Sequence, residues 1–279
     1  VIPEDMELLA ALARNRAGLR VETDKTYLVE SRLNPLARRE GFDSIEAMVA
    51  ALRAKRDDRL IWAVVEALTL NETAFFRDRE TFAHLRDDLL PALSRRASNG
   101  GRDRPIRVWS AACSTGQEVY SLAMIAAESR DIEPGAQFEF FGSDISERCL
   151  EKAQSGLYTQ FEVQRGLPIR LLVKHFENQD EMWAISPRIR QSVRWRRINL
   201  MADLSPLGKF DAILLRNVLP GLDPGVRPRI IESLAARLED DGVLLLGAGE
   251  SLGDITGAVR PAADLPGLFN RDPSFRAAA

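Results

Sequence analysis

Apolar residues recur at helical spacing through the first seventy residues. Ile45, Met48, Val49 and Leu52 form one stripe, Ile61, Val64, Val65 and Leu68 another, and residues 7–13 are strong helix formers. Asp43 and Ser44 stand where the cap of a helix starting at Ile45 belongs. No strand pattern interrupts this region. From residue 104 the pattern changes. Residues 106–109 read as a short strand, followed by a helix with Leu122, Ile125 and Ala126 on its apolar face. Residues 138–142 predict a second strand ending at Ser143 and Asp144, then a helix over 147–154. A third strand is predicted over 210–215, a helix over 229–238, a fourth strand over 242–246, and one last short strand near 267–269. Short apolar strands alternating with helices predict an α/β domain whose parallel sheet is covered on both faces. Such sheets bind ligands at the carboxyl ends of their strands, where the polar residues and glycines of this chain collect.

Residues 176–198 break the alternation. Trp183, Ala184 and Ile185 are followed by a run of period two, with Arg188, Arg190, Arg194 and Arg196 on one side and Ile189, Val193 and Trp195 on the other. This pattern predicts an antiparallel hairpin inserted into the α/β domain. Its arginine face is either a solvated outer surface or a docking surface for an acidic partner.

Composition narrows the function classes. At 279 residues, one large domain or a large and a small one are expected. No apolar run approaches the roughly 20 residues of a membrane span, so membrane insertion is not expected. Residues 1–5 lack the basic and apolar regions of a secretory signal, and the expected location is cytoplasmic. Cys113 and Cys149 are the only cysteines, and His84 and His175 the only histidines, which leaves no ligand set for a cysteine- or histidine-based metal site. A net charge of −3 argues against generic nucleic-acid binding.

The turn after the first strand, residues 110–116, has a single glycine, Gly116. It matches neither the G-x-G-x-x-G dinucleotide turn nor the phosphate-cradling P-loop. Its small residues Ala111, Ala112 and Ser114 still allow close backbone approach by a ligand. Asp144, closing the second strand, can accept hydrogen bonds from two ribose hydroxyls, or can cap the helix that follows. A nucleoside without a pyrophosphate fits these observations, and S-adenosylmethionine is the commonest of that kind.

Five motifs carry a resemblance. They are residues 71–77 (N-E-T-A-F-F-R), residues 108–121 (V-W-S-A-A-C-S-T-G-Q-E-V-Y-S), residues 143–145 (S-D-I), Asn199-Leu200, and residues 210–219 (F-D-A-I-L-L-R-N-V-L). In this order, over roughly residues 20–270, the chain resembles the CheR family, the S-adenosylmethionine-dependent methyltransferases that esterify glutamates of bacterial chemoreceptors. The resemblance implies a Rossmann-like methyltransferase sheet with a small inserted β-subdomain, preceded by an all-helical domain. The expected divisions are a helical domain over 1–68, a linker over 69–80, and a methyltransferase domain over 81–279 with its insertion at about 176–198.

The resemblance also implies roles. Asn71, Thr73 and Arg77 lie where the linker crosses the cofactor, and Arg77 faces the substrate pocket as the one catalytic side chain. Glu118 meets the methionyl ammonium and Asp144 the ribose. Asn199 and Leu200 flank the adenine, and Asn217 and Val218 line the cofactor near its methyl group. Phe75 and Phe76 are expected to pack and fix the linker. Lys25, Arg32 and Arg38 match the basic residues that dock the receptor's cytoplasmic helices; Lys25, Arg32 and Arg39 are spaced by seven, and Pro35 threatens a kink between them.

Two departures from the family pattern stand out. After R-N-V-L the family continues I-Y-F, whereas this chain has Pro220-Gly221-Leu222, so Gly221 replaces a tyrosine that shapes the active site. That raises an alternative, a catalytically weak or inactive cofactor-binding regulator on the same fold. The inserted hairpin is also short, which disfavours capture of the receptor's C-terminal tail by strand addition.

Overall fold

The computed structural model describes residues 1–55, 57–101, 103–262 and 265–276. Contacts divide the chain into two units. One comprises Val1–Leu70, Asn199–Met201 and Val218–Ile230; the other comprises Asn71–Ile198, Ala202–Asn217 and Ile231–Ala279.

The first unit is built on helices α1 (Pro3–Ala17), α2 (Thr26–Arg39), α3 (Ile45–Ala54) and α4 (Asp58–Ala67). Ser44 is the residue that caps α3, its side chain accepting from Ala47 N at 3.1 Å. The stripes Ile45, Met48, Val49, Leu52 and Leu60, Ile61, Val64, Val65 are buried, each such side chain contributing about 1.5–3 kcal/mol. α2 passes through Pro35 without a break. Two segments distant in sequence complete the unit. Arg20 N donates to Gly221 O and Asp223 N to Gly18 O, both at 2.8 Å, around a bridge between Leu19 and Leu222. This strand-like pairing was not legible in the helical pattern.

In the second unit, α5 (Arg79–His84) runs through a π-turn at Leu85–Leu89 into α6 (Leu90–Asn99). Pro91, in the first turn of α6, has no N–H to continue a regular ladder, which accounts for the widened turn. There follow β1 (Ile106–Ala111), α7 (Gln117–Glu128), β2 (Phe138–Asp144), α8 (Glu147–Ser155), β3 (Leu157–Thr159), α9 (Gln160–Gln164), α10 (Ile169–His175), β4 (Phe176–Gln179), β5 (Met182–Ile185), α11 (Pro187–Gln191), β6 (Val193–Arg197) and β7 (Phe210–Leu215). α12 (Arg227–Ala235), of which residues 227–230 belong to the first unit, β8 (Leu238–Leu246), β9 (Val259–Pro261) and β10 (Leu268–Arg271) complete the order. The main sheet has the order β6-β2-β1-β7-β8-β10-β9, parallel from β6 to β8, with β10 and β9 added antiparallel. Every residue of β7 is buried, as a central strand covered on both faces requires.

The second, three-stranded sheet has the order β3-β5-β4. The hairpin expectation for 176–198 therefore needs correction. Only β4 and β5 form an antiparallel hairpin, and the distant β3 joins them. The arginine run is not a single strand. Pro187 opens a helical turn that buries Ile189, and residues 193–197 then pair in parallel with β2 at the edge of the main sheet. Ile189 and Val193 are four residues apart, a spacing that serves a helix as well as alternation serves a strand.

Candidate functional site

The chain leaves β1 toward β2 and β6 on one side and returns to β7 and β8 on the other, so the order reverses between β1 and β7. Ligands bind such sheets at this switch point, beyond the carboxyl ends of the strands. The residues there are held under strain. Ala112 (φ 58°), Ser114 (φ 52°), Asn217 (φ 60°), Phe76 (φ 49°) and Asp78 (φ 63°) are five of the six described non-glycine residues in left-handed conformations. Each costs about 1–3 kcal/mol, and such residues cluster where function over-determines the backbone.

Side chains hold the turn after β1 from three directions. Ser114 N donates to Asp144 Oδ2 at 2.8 Å, Ser114 Oγ donates to Asn71 O at 2.7 Å, and Tyr158 of β3 donates its hydroxyl to Thr115 O at 2.7 Å. Asp144 is buried at the tip of β2, and its Oδ1 accepts from Ser146 N at 2.9 Å. The cap of α8 is Ser146, whose hydroxyl accepts from Cys149 N, so Asp144 is not the helix cap. Gly116 (φ 90°) is needed for packing. A Cβ there would lie 2.7 Å from the Trp195 ring and 2.9 Å from Ala153 Cβ. Cys113, in the same turn, is fully buried; burial, with the charges of Asp144 and Glu118 behind it, pushes its thiol well above the ordinary range and keeps it neutral.

A charged cluster spans the tips of β1 and β7. Glu118 Oε1 accepts from Ser110 Oγ at 2.8 Å, and Oε2 from Arg216 Nη1 at 2.7 Å. Arg216 Nη2 donates to Asp78 Oδ2 at 2.7 Å and to Arg77 O at 2.9 Å. Two carboxylates thus face one guanidinium. A carboxylate has about four acceptor positions, so Glu118 keeps capacity for a further cation. Asn217, next in the chain, donates its backbone N–H to Glu250 Oε2 at 2.7 Å, and Gly247 N donates to the same oxygen at 2.7 Å. Sequence reasoning missed Arg216, Asp78, Ser110 and Glu250. The signal for Arg216 was present: it directly follows β7, whose residues are apolar but for Asp211, at the strand's carboxyl end.

In the connector, Phe75 is fully buried with its ring 5.0 Å from Tyr158 and 5.6 Å from Phe176, and Phe76 packs 5.3 Å from Phe82, both as expected of packing residues. Thr73 and Arg77 are half-buried, and Arg77 Nη1 donates to Glu72 O at 3.0 Å. The structure thus brings Asn71, Arg77, Glu118, Asp144 and Asn217 onto the turns and connector of one unit. Asn199, Leu200 and Val218 belong to the other unit by their contacts. There Asn199 donates to Arg16 O at 2.6 Å and accepts from Met201 N at 3.0 Å. The roles of these three toward an adenine or a methyl group rest on resemblance alone.

The basic residues of α2 differ in their engagement. Lys25 precedes the helix and pairs with Glu22 at 2.5 Å; Arg32 donates to Leu68 O at 3.2 Å at the end of α4; Arg38 is exposed in the last turn. Gly221 lies in a 3₁₀ turn, where, among the described residues, an added Cβ would meet only Leu70 Cδ1, at 3.8 Å.

Among the described residues no cluster of His, Cys, Asp and Glu could hold a metal ion, and no helix is long and apolar enough to cross a membrane. The family models described as "CheR methyltransferase, SAM binding domain" and "CheR methyltransferase, all-alpha domain" match residues 71–263 and 4–69. The chain belongs to the CheR methyltransferase family. Chemotaxis protein methyltransferase 1 of Pseudomonas aeruginosa is 35% identical over 96% of this chain and 97% of its own length. Chemotaxis protein methyltransferase 1 of Vibrio cholerae is 36% identical over 91% of this chain and 92% of its own. Among solved structures, the glycopeptide N-methyltransferase MtfA complexed with S-adenosyl-L-methionine matches at a TM-score of 0.34 and 13% identity, over 56% of this chain and 53% of that one, too distant to bear on the site. The CheR fold and cofactor class expected from the motifs hold, and nothing in these likenesses favours the non-catalytic alternative.

Proposed function

We propose that this CheR-family chain methylates glutamate side chains of bacterial chemoreceptors in the cytoplasm, using S-adenosylmethionine and forming methyl esters. The carrying observation is the near full-length match to relatives named chemotaxis protein methyltransferases. The charged cluster supports the cofactor class, because two carboxylates against one guanidinium leave an uncompensated negative charge suited to a cation. When bound, S-adenosylmethionine supplies a methyl group already activated by its sulfonium.

The side chains divide the remaining work. Glu118 receives the ammonium on its open acceptor positions, and Asp144 receives the ribose hydroxyls while its hydrogen bonds to Ser114 and Ser146 keep it oriented. Asn71, Thr73 and Asn217 line the cofactor. Arg77, which gives one N–H to Glu72 O, orients the incoming carboxylate with its remaining donors. A glutamate has a pKa near 4.3 and is already an anion at neutral pH, so no general base is needed and the scarcity of histidine is no obstacle. The enzyme contributes alignment, for which about 7–11 kcal/mol is available from positioning. Arg77 must not hold the anion too firmly, since the transition state disperses its charge. Lys25, Arg32 and Arg38 dock the receptor helix, with Arg38 the most open of the three. Capture of a receptor tail by strand addition is not part of this reading.

The test is incubation with methyl-labelled cofactor and receptor cytoplasmic fragments. Base-labile label on glutamate is expected, and Arg77→Ala should slow its appearance sharply while leaving a measurable residual rate from proximity alone. Cofactor binding without any transfer to receptor fragments of the source organism would overturn the proposal.

A further inference from the structure

The structure assigns Arg216 a role of its own: it is a positioning residue, clamping the connector that carries Arg77 to the acidic group on α7. This inference rests on the reading of Arg77 just given. The Arg216 side chain is completely buried. One of its terminal nitrogens is committed to Glu118 Oε2, and the other is shared by Asp78 Oδ2 and Arg77 O. Its Nε–H is buried with no hydrogen-bond partner among the described residues, and its Cζ lies 5.3 Å from the centre of the Phe82 ring.

A buried guanidinium with an unsatisfied N–H is a poor device for stability alone, since well-packed apolar groups replace buried ion pairs at little or no loss. Its geometry instead serves the connector. Phe76 and Asp78, on either side of Arg77, both hold left-handed conformations that a free chain would leave. Ser121 Oγ holds the first of them by accepting from Phe76 N at 3.1 Å. Arg216 holds the second, through the carbonyl of Arg77 and the carboxylate of Asp78. Arg77 is thereby pinned from both sides, with only its side chain left to move. A planar fork is required for this, because one group must reach a carboxylate on α7 and two acceptors on the connector at once. Lysine, a compact ammonium on a flexible stem, does not reproduce the fixed spacing with which the fork meets both sides.

Arg216→Lys is the discriminating variant, with Asp78→Ala as a second, at a half-exposed position, should the first not fold. Three readouts apply. Methyl transfer should fall about 30-fold in kcat while adenosylhomocysteine affinity changes less than about 5-fold, a split that partial unfolding would not produce. In an Arg77→Ala background the same change should cost less than about 3-fold more, because residues acting through one another are not additive. Amide exchange over residues 72–79 should quicken about 10-fold or more, measured without any acceptor. Unchanged exchange, or a full multiplicative loss in the Arg77→Ala background, would overturn the clamp. A parent protein that methylates no receptor would overturn the functional reading instead, and the exchange measurement would still decide the clamp.

Discussion

Replacing Gly116 by alanine perturbs two separable quantities at once. The first is conformational: at φ 90° an L-residue pays about 1–2 kcal/mol that glycine does not. The second is steric. The new Cβ would sit 2.7 Å from Trp195 Cη2, 3.3 Å from Cζ3 and 2.9 Å from Ala153 Cβ, where carbon atoms rest at about 3.5–4.0 Å. Trp195 has little room to retreat. A Cβ on Gly142 would lie 2.5 Å from Cζ3, and Tyr120 packs edge-on with ring centres 5.3 Å apart. Overpacking of this kind costs about 1–3 kcal/mol, so the expected total is about 2–5 kcal/mol. Equilibrium urea unfolding followed by circular dichroism measures it. Repeating the substitution in a Trp195→Leu background removes the ring contacts, leaving about 1–2 kcal/mol of backbone strain together with the smaller contribution of the Ala153 contact. A total below about 1 kcal/mol, or an undiminished cost without the indole, would refute the reasoning. Adenosylhomocysteine binding should weaken in parallel, because the displaced turn carries the Ser114 N–H that orients Asp144.

Three further outcomes are expected. Asp144→Asn puts an amide donor against one of two backbone N–H groups, which should cost about 1–3 kcal/mol in stability and at least about tenfold in adenosylhomocysteine affinity by calorimetry. Stability should decline as pH falls from 7 to 5: burial holds the His175 pKa below its usual 6.5 despite Glu128 at 3.1 Å, so the unfolded chain gains the proton first, and His175→Asn should flatten this slope in denaturation midpoints taken across the range. Gly221→Tyr meets nothing closer than 3.8 Å at its Cβ, so melting should shift by less than about 3 °C; a large rise in methyl transfer would show that the natural glycine limits the rate, and equal activity that it does not.

The strands that build the site were legible because burial on both faces leaves a strong mark. Residues 210–215 are apolar but for Asp211, and the turn after β1 gathers small residues between two clear elements. Asp144 was legible from position alone, at the tip of a predicted strand. What escaped depends on pairing across long separations. β3 is three residues long and gains its identity only by lying against β5, and β6 reads like half a hairpin until β2 is seen beside it. The start of β8, through Glu239, Asp240 and Asp241, defeats a hydrophobicity criterion because its pairing with β7 is irregular there. Arg216 escaped for a different reason. An arginine after a strand is usually solvated, and only Glu118 and Asp78, 98 and 138 residues away, turn it into a buried link.

The same geometry explains why this sheet suits a nucleoside cation and not a phosphate ester. Phosphate-binding turns offer unoccupied backbone N–H groups at strand tips. Here four of them already have acceptors: Ser114 and Ser146 donate to Asp144, and Asn217 and Gly247 donate to Glu250. A phosphate would have to displace carboxylates from these positions and endure their charge. The Glu118–Arg216–Asp78 group adds one net negative charge. At about 4 Å and an effective dielectric near 20, one excess unit charge is worth about 4 kcal/mol, favourable to a cation and unfavourable to an anion. Exchanging a ligand's positive end for a negative one therefore swings the balance by about 8 kcal/mol, enough to turn micromolar binding into none. The missing glycines of the dinucleotide turn and the acidic strand tips are thus two expressions of one selection, made first by which backbone donors are already taken and then by charge.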